Sequence, residues 1–185
     1  MPETNRTKRA IAGAFKDLLK EVPFSKITVA EICKRSGISR KSFYYHFIDK
    51  YDLVNWIFDT ERPAAMEDVV HYSDAERLSI LSRYFYDNRE FYRAVLQYKG
   101  QNCLTEHLED LAGNLLQGLQ ADDVSAEPAK AEQQGMVTRF FSDALLAALD
   151  RWMQDHVPMK PEDFVEYIKL CVRIMNCEEW NGTGN

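Results

Sequence analysis

The chain has 185 residues, 45% of them hydrophobic and 28% charged, with only 8 Gly and 6 Pro. These proportions exclude a disordered, collagen-like or low-complexity protein, and the length suits one domain or a large domain carrying a small one. The longest unbroken apolar run, Ala144 to Leu149, falls far short of the roughly 18 residues of a bilayer span. Charges throughout the first twenty residues (Glu3, Arg6, Lys8, Arg9, Lys16, Asp17, Lys20) leave no signal-peptide core. The expectation is a soluble, cytoplasmic protein with no membrane partner. Cys33, Cys103, Cys171 and Cys177 show no spacing of a disulfide framework or zinc knuckle and read as reduced thiols packed as small hydrophobes.

The net charge of −6 is unevenly divided. Residues 1–50 hold 11 Lys and Arg against 5 Asp and Glu, whereas residues 51–185 hold 12 against 24. Attraction to phosphate depends on charge at the contact face, so a basic head on an acidic body suits a nucleic-acid binder. An unevenly charged solvated surface would show the same split.

Almost the whole chain reads helical. Ile11, Ala14, Phe15, Leu18 and Leu19 recur at three- and four-residue spacing on a first helix that ends by Pro23. Thr28 and Glu31 then match a capping box, with Ile27 and Ile32 placed as a hydrophobic staple. A short helix over 29–35 follows, stopped by Ser36-Gly37, where Gly37 can adopt the left-handed conformation of a tight turn. Ser39 can cap a third helix over 40–47.

Two short helices joined by a Gly-containing turn describe a helix-turn-helix. At 100° per residue, Phe43 and Phe47 share the inner side of the third helix with Ile38. Lys41, Ser42 and Tyr45 point away, flanked by Arg40, Tyr44 and His46. Arg and Lys can donate to guanine edges, and Tyr and Ser hydroxyls can reach phosphates. The plain alternative is a surface helix whose tyrosines pack on neighbours.

Further helices are predicted over 50–61, 75–98, 104–120, 131–154 and 161–177, with a loop at 121–128 and a fraying tail from Asn181. In the first of the two late helices Met136/Val137, Phe140/Phe141, Ala144/Leu145, Ala148/Leu149 and Trp152/Met153 repeat every four residues. In the second, Phe164/Val165, Tyr167/Ile168, Cys171/Val172 and Ile174/Met175 do much the same. That width exceeds the single stripe a monomer core requires and suggests a second subunit, the alternative being a fully buried core helix. The middle of the chain is rich in aromatics: Trp56, Phe58, Tyr84, Phe85, Tyr86, Phe91, Tyr92 and Tyr98.

From Phe24 to Leu53, with Thr28-Val29, Ile32, Ile38-Ser39, Phe43-Tyr44-Tyr45-His46-Phe47 and Asp49-Lys50, the chain resembles the N-terminal helix-turn-helix of the TetR family of transcriptional regulators. The match covers about the first 55 residues. Pro23 stands where that family often has Gly, and Lys41 where a small residue or Pro is common, so the base-reading set should be particular to this branch. Lys50-Tyr51-Asp52-Leu53 and the 91–102 stretch FYRAVLQYKGQN resemble the branch that includes regulators of dihydroxyacetone kinase operons.

The resemblance implies an all-α protein with a three-helix DNA-binding domain (1–50) and a larger helical effector-binding and dimerisation domain (51–185). Thr28 would cap the second helix near a phosphate, and Ser39 the recognition helix close to the DNA backbone. Arg40 and Lys41 would read bases, and Tyr44 would touch a thymine methyl or a phosphate. Ser42, Tyr45 and His46 would meet phosphates, His46 equally suiting a brace for its helix, and Lys50 would bond a phosphate through its ammonium. Trp56, Tyr84, Tyr92 and His107 are candidates for an effector site, although aromatics at helical spacing are more often core. Phe140, Phe141, Leu145, Leu149, Trp152, Phe164, Ile168 and Cys171 are candidates for a homodimer interface. The effector would be a small molecule or, in the kinase-operon branch, a protein partner.

Enzyme readings are weaker. Glu67, Asp68, His71 and Asp74 could cluster, and Cys103 and His107 share a helical face, but solvated charges and a packed thiol explain them without a metal. No phosphate loop, nucleophile elbow or zinc-protease motif occurs. The reading is a sequence-specific DNA-binding regulator, a repressor that binds a near-palindromic double-stranded operator as a homodimer, with no cofactor or metal. The alternative is a helical ligand- or protein-interaction module that has lost specific DNA binding.

Overall fold

In the computed structural model, which describes residues 3–68, 70–121 and 131–176, all regular structure is helical. Among these residues α1 (Glu3–Glu21) leads through a single 3-10 turn, Phe24–Lys26, to α2 (Val29–Ser36), α3 (Arg40–His46) and α4 (Lys50–Glu61). A second such turn, Ala64–Met66, precedes α5 (Asp74–Asp87), α6 (Arg89–Leu96), α7 (Leu104–His107), α8 (Glu109–Ala121), α9 (Ala131–Gln154) and α10 (Pro161–Asn176). The all-α expectation holds. No described helix is long and apolar enough to cross a membrane. Cys177, the loop at 122–128, the tail from Asn181 and the side chain of Met175 lie outside the described residues; Cys33, Cys103 and Cys171 are free thiols.

Two helices that read as continuous in the sequence are each broken. The 75–98 stretch stops at Asn88, whose amide Nδ2 donates to Tyr84 O (2.9 Å) alongside its own backbone N–H (3.2 Å). A short polar side chain thereby closes the last turn of α5. The 104–120 stretch divides into the single turn α7 and the longer α8 on either side of Leu108. Leu104, Leu108, Ala112 and Leu115 are all buried, so the apolar period runs unchanged through the break and hides it from a periodicity argument.

The chain forms two compact units. The first takes in the chain up to Glu61 together with Arg89–His107. Its core gathers Ile11 and Phe15 of α1, Ile32 of α2, Phe43 of α3, Leu53 and Ile57 of α4 and Tyr92 of α6, all buried. Phe15 sets its ring edge-on to both Phe24 (6.0 Å) and Phe91 (6.3 Å), so α1 is the common wall for the helix-turn-helix and for α6.

The second unit comprises Arg62–Asn88 and Leu108 onward. In it α8 packs along α9, α5 along α10, and α8 also against α5 and α10. Arg77 is buried there and donates to Asp74 Oδ1 (2.7 Å) and to Met66 O (2.8 Å), which offsets the cost of taking a guanidinium out of water.

This packing divides the expected dimer set into buried and outward residues. Leu149, Trp152, Phe164 and Ile168 are buried within the chain's own second unit. They are covered because the end of α9 and the start of α10 pack over α5 and α8. Phe140 is 67% exposed, while Phe141, Leu145 and Cys171 are half-buried. The outward apolar residues are Met136, Val137 and Phe140 on α9 and Tyr167, Leu170 and Ile174 on α10. The extra width of apolar sequence thus divides into an inner stripe and an outer one.

Candidate nucleic-acid interface

The start of α2 is fixed as its sequence dictates. Glu31 N–H donates to Thr28 Oγ1 (3.3 Å), and Thr28 N–H (2.8 Å) and Oγ1–H (2.7 Å) both donate to Glu31 Oε2. These bonds hold the Glu31 carboxyl below its ordinary range. They use both donors of Thr28 in the cap. At the other end Gly37 adopts φ +70°, ψ 15°, and its N–H closes on Cys33 O. A side chain at that left-handed position would be strained. Arg35 bonds Glu21 through both terminal nitrogens (2.8 and 2.5 Å), which fastens α2 to the end of α1 and lowers the Glu21 carboxyl chiefly through the hydrogen bond.

Ser39 caps α3 by accepting from Ser42 N–H at 3.1 Å, which leaves the hydroxyl proton of Ser39 available outward. The faces of α3 separate cleanly. Phe43 and Phe47 are buried, whereas Arg40 and Lys41 are exposed, Tyr44 is 59% and Tyr45 80% exposed, and Ser42 and His46 are half-buried. Among the described residues Arg40 and Lys41 make no hydrogen bond or ion pair. By contrast Lys16, Lys20 and Arg35 are held by Glu61, Asp17 and Glu21. The unpaired positive charge of the helix-turn-helix is thus carried by Arg40 and Lys41, along with the exposed Lys26 and Lys34, which the sequence reading did not single out. The other residue it missed is Ile48, 77% exposed immediately after α3, with its N–H on Asp52 Oδ2 (2.9 Å). Its exposure is legible only once Phe47 is known to end the inner stripe.

Lys50 is held from inside the unit. Its ammonium donates to Phe24 O and Ile27 O, both at 2.9 Å, and lies 4.6 Å from the centre of the Phe24 ring. Burial lowers its pKa, with the nearby Asp49 and Glu31 carboxylates acting in the opposite direction.

Of the four candidate effector residues, Trp56, Tyr92 and His107 belong to the first unit and Tyr84 to the second. Within the first unit, Tyr92 and His107 both set their rings edge-on to Phe58, at 6.4 and 6.2 Å. Trp56 sets its ring edge-on to Phe47 (5.7 Å), Tyr92 is buried, and His107 Nε2 lies 2.9 Å from Asp59 Oδ1. An apolar cavity of about 40 Å³ lies instead within the second unit, among Leu78, Leu81, Phe85, Leu115, Leu146 and Phe164, and none of the four lines it.

An exposed pair of cations, hydroxyls and phenols on a short capped helix, held by a buried aromatic face, is an arrangement for reading a groove and its phosphates. Residues 11–57 match the family described as bacterial regulatory proteins, tetR family, and residues 76–173, over half of the chain, match the family described as a transcriptional regulator C-terminal region. The HTH-type dhaKLM operon transcriptional activator DhaS of Lactococcus lactis subsp. lactis (strain IL1403) is 32% identical over 90 residues, which span 48% of this chain and 48% of that protein. Among solved structures, a TetR transcriptional regulator from Streptococcus agalactiae 2603V superposes with a TM-score of 0.68 at 21% identity, covering 92% of this chain and 95% of that one. NalD of Pseudomonas aeruginosa, described as the secondary repressor of the MexAB-OprM multidrug efflux pump, does so with a TM-score of 0.63 at 18% identity, covering 97% and 100%. The chain belongs to the TetR family of DNA-binding transcriptional regulators.

Proposed function

We propose that the protein binds a near-palindromic operator as a homodimer, each α3 entering one half-site, and that an effector taken by the 51–185 part alters that binding. The observation that carries the reading is the outward face of α3, where Arg40 and Lys41 have no internal partner and Ser39, Ser42, Tyr44 and Tyr45 present hydroxyls. Two such faces related by a dimer axis require inverted half-sites. His46, beside Tyr45 on this face, either reaches a phosphate or braces the helix.

The outer apolar stripe of Met136, Val137, Phe140, Tyr167, Leu170 and Ile174 supports the homodimer, with Phe141, Leu145 and Cys171 at its margin. The cavity of about 40 Å³ offers an apolar foothold for an effector. A ligand of ordinary size requires roughly 300–1,000 Å³, so binding there would part the helices that enclose it.

Selection of bound fragments from genomic DNA tests the reading, followed by titration of the recovered duplex at several salt concentrations. The expected result is an inverted repeat and an affinity that falls steeply with salt. Binding that ignores sequence, or none at all, would favour the interaction-module alternative. A reporter carrying the recovered operator then reads the sign of regulation, since the similar proteins include both an activator and a repressor.

A further inference from the structure

α6 begins at Arg89, directly after Asn88 closes the last turn of α5. Arg89, Tyr92 and Leu96 follow one another at three- and four-residue spacing, so they share one face of that helix. Tyr92 and Leu96 are buried, and Tyr92 meets Phe58 of α4. Arg89 thus carries its guanidinium on the inward face of α6.

Two nitrogens of that guanidinium, Nε and Nη2, are buried and meet no acceptor. Their N–H bonds run side by side and form the fork that can meet both oxygens of a carboxylate or phosphate at once. Carboxylates stand close in the chain, since Asp87 and Glu90 flank Arg89. Both are exposed, and neither bonds the fork. Arg89 as a whole is half-buried, so the fork lies just beneath the surface.

Several other arginines have acceptors of their own. Arg35 forks onto Glu21, Arg62 bonds Glu67 Oε1 at 2.6 Å, and Arg83 pairs with Glu162. Arg77 also has an unbonded Nε, yet both its terminal nitrogens are held, by Asp74 and by Met66 O. Asn55 Oδ1 and Thr105 Oγ1, the other buried side-chain atoms without a partner among the described residues, carry no charge. Charge, burial and a missing acceptor coincide at Arg89. A charged N–H shut off from both water and protein oxygen is costly, and the cost falls when an anion arrives. Chloride offers a single centre, whereas the fork suits two oxygens.

We propose that Arg89 is the seat of an oxyanion, the carboxylate or phosphate group of a ligand from outside the chain. The site goes beyond the effector reading by giving the ligand's chemistry. It stands whether or not the bound anion alters operator affinity.

The test follows thermal unfolding of the full chain in sodium chloride, with sodium phosphate or sodium acetate added at constant ionic strength. The expected result is a melting temperature that rises with at least one oxyanion in proportion to RT ln(1 + [L]/Kd). A rise with acetate alone marks a carboxylate ligand, a rise with phosphate alone a phosphate ester, and a rise with both the shared fork. Arg89→Lys, which keeps the charge but loses the fork, should weaken that binding about tenfold or more. Arg89→Met, which keeps the stem, should abolish it. In chloride alone Arg89→Met should melt no lower than the parent, because it removes an unpaired buried charge. No rise with either oxyanion, or an equal rise in Arg89→Met, would overturn the site. An Arg89→Met protein that melts well below the parent in chloride, or fails to fold, would show that the guanidinium is already bonded within the chain, and would overturn it too. None of these readouts involves DNA, so failure of the site and failure of operator binding are told apart.

Discussion

The indole of Trp152 lies flat on the ring of Phe164, centres 4.1 Å apart and planes 6° from parallel, and its Nε1–H donates to Met159 O at 2.9 Å. The pair closes the turn between α9 and α10 from inside, with the Tyr86 ring of α5 as a second stacked neighbour of Trp152 at 6.0 Å. Trp152→Ala should therefore destabilise the protomer by about 3–5 kcal/mol, measured by denaturant unfolding. Phe140→Asp should behave oppositely. As Phe140 is mostly exposed, protomer stability should change by no more than about 0.5 kcal/mol, whereas sedimentation should shift from dimer to monomer. A dimer that survives Phe140→Asp would place the interface elsewhere.

Arg40 and Lys41 open α3 side by side, and their expected losses differ in kind. Arg40→Ala should relax preference at particular base pairs by about 1–3 kcal/mol if its fork reads guanine. Lys41→Ala should weaken binding more evenly and lower the salt slope by about 1 if it neutralises a phosphate. Parallel selection of randomised half-sites with both variants separates the two. Identical sequence profiles for both variants and the parent would remove direct base reading by α3.

The first unit should lose stability in acid. The Thr28 bonds hold the Glu31 carboxyl below its unfolded value of about 4.5, and Arg35 does the same for Glu21. A depressed carboxyl stabilises the fold above its unfolded pKa, and the contribution is lost as pH falls through the folded pKa. Melting temperature should thus decline below about pH 4.5, and Glu31→Gln should flatten that decline. A parent and Glu31→Gln whose melting temperatures fall in parallel would show that the capping box is not the titrating element.

Much of the helix-turn-helix was legible because its signals are local. Thr28 and Glu31 lie three residues apart, Gly37 marks its own turn, and Phe43 with Phe47 sets the face of α3. The internal bonds of Lys50 were not legible for a physical reason: a lysine at a helix start looks alike whether or not it also meets the carbonyls of Phe24 and Ile27, which lie more than twenty residues away. The same holds for α9 and α10. Periodicity counts apolar residues on a helix, but it cannot divide them between Trp152, turned inward, and Phe140, turned outward. The cavity in the second unit is lined mainly by leucines, which composition cannot distinguish from any other core.

That cavity gives the last prediction. At about 40 Å³ it holds no more than a few water-sized bodies, and its leucine and phenylalanine walls give water almost nothing to bond. Leu115 is buried on its wall, and Leu115→Ala should cost about 2–5 kcal/mol while enlarging the space. An enlarged dry cavity of this kind can take up benzene. Benzene should then raise the melting temperature of Leu115→Ala in proportion to RT ln(1 + [L]/Kd) and leave the parent unchanged. If occupation of this space parts α5, α8, α9 and α10 in a way that the DNA-bound state disfavours, benzene must also weaken operator binding by Leu115→Ala. By linkage, the operator must weaken benzene binding by the same factor. Equal affinity for both states shifts nothing, however tight the binding. A melting temperature raised by benzene at unchanged operator affinity would therefore separate the cavity from regulation, and would direct the search for the effector to a protein bound on the outer surface.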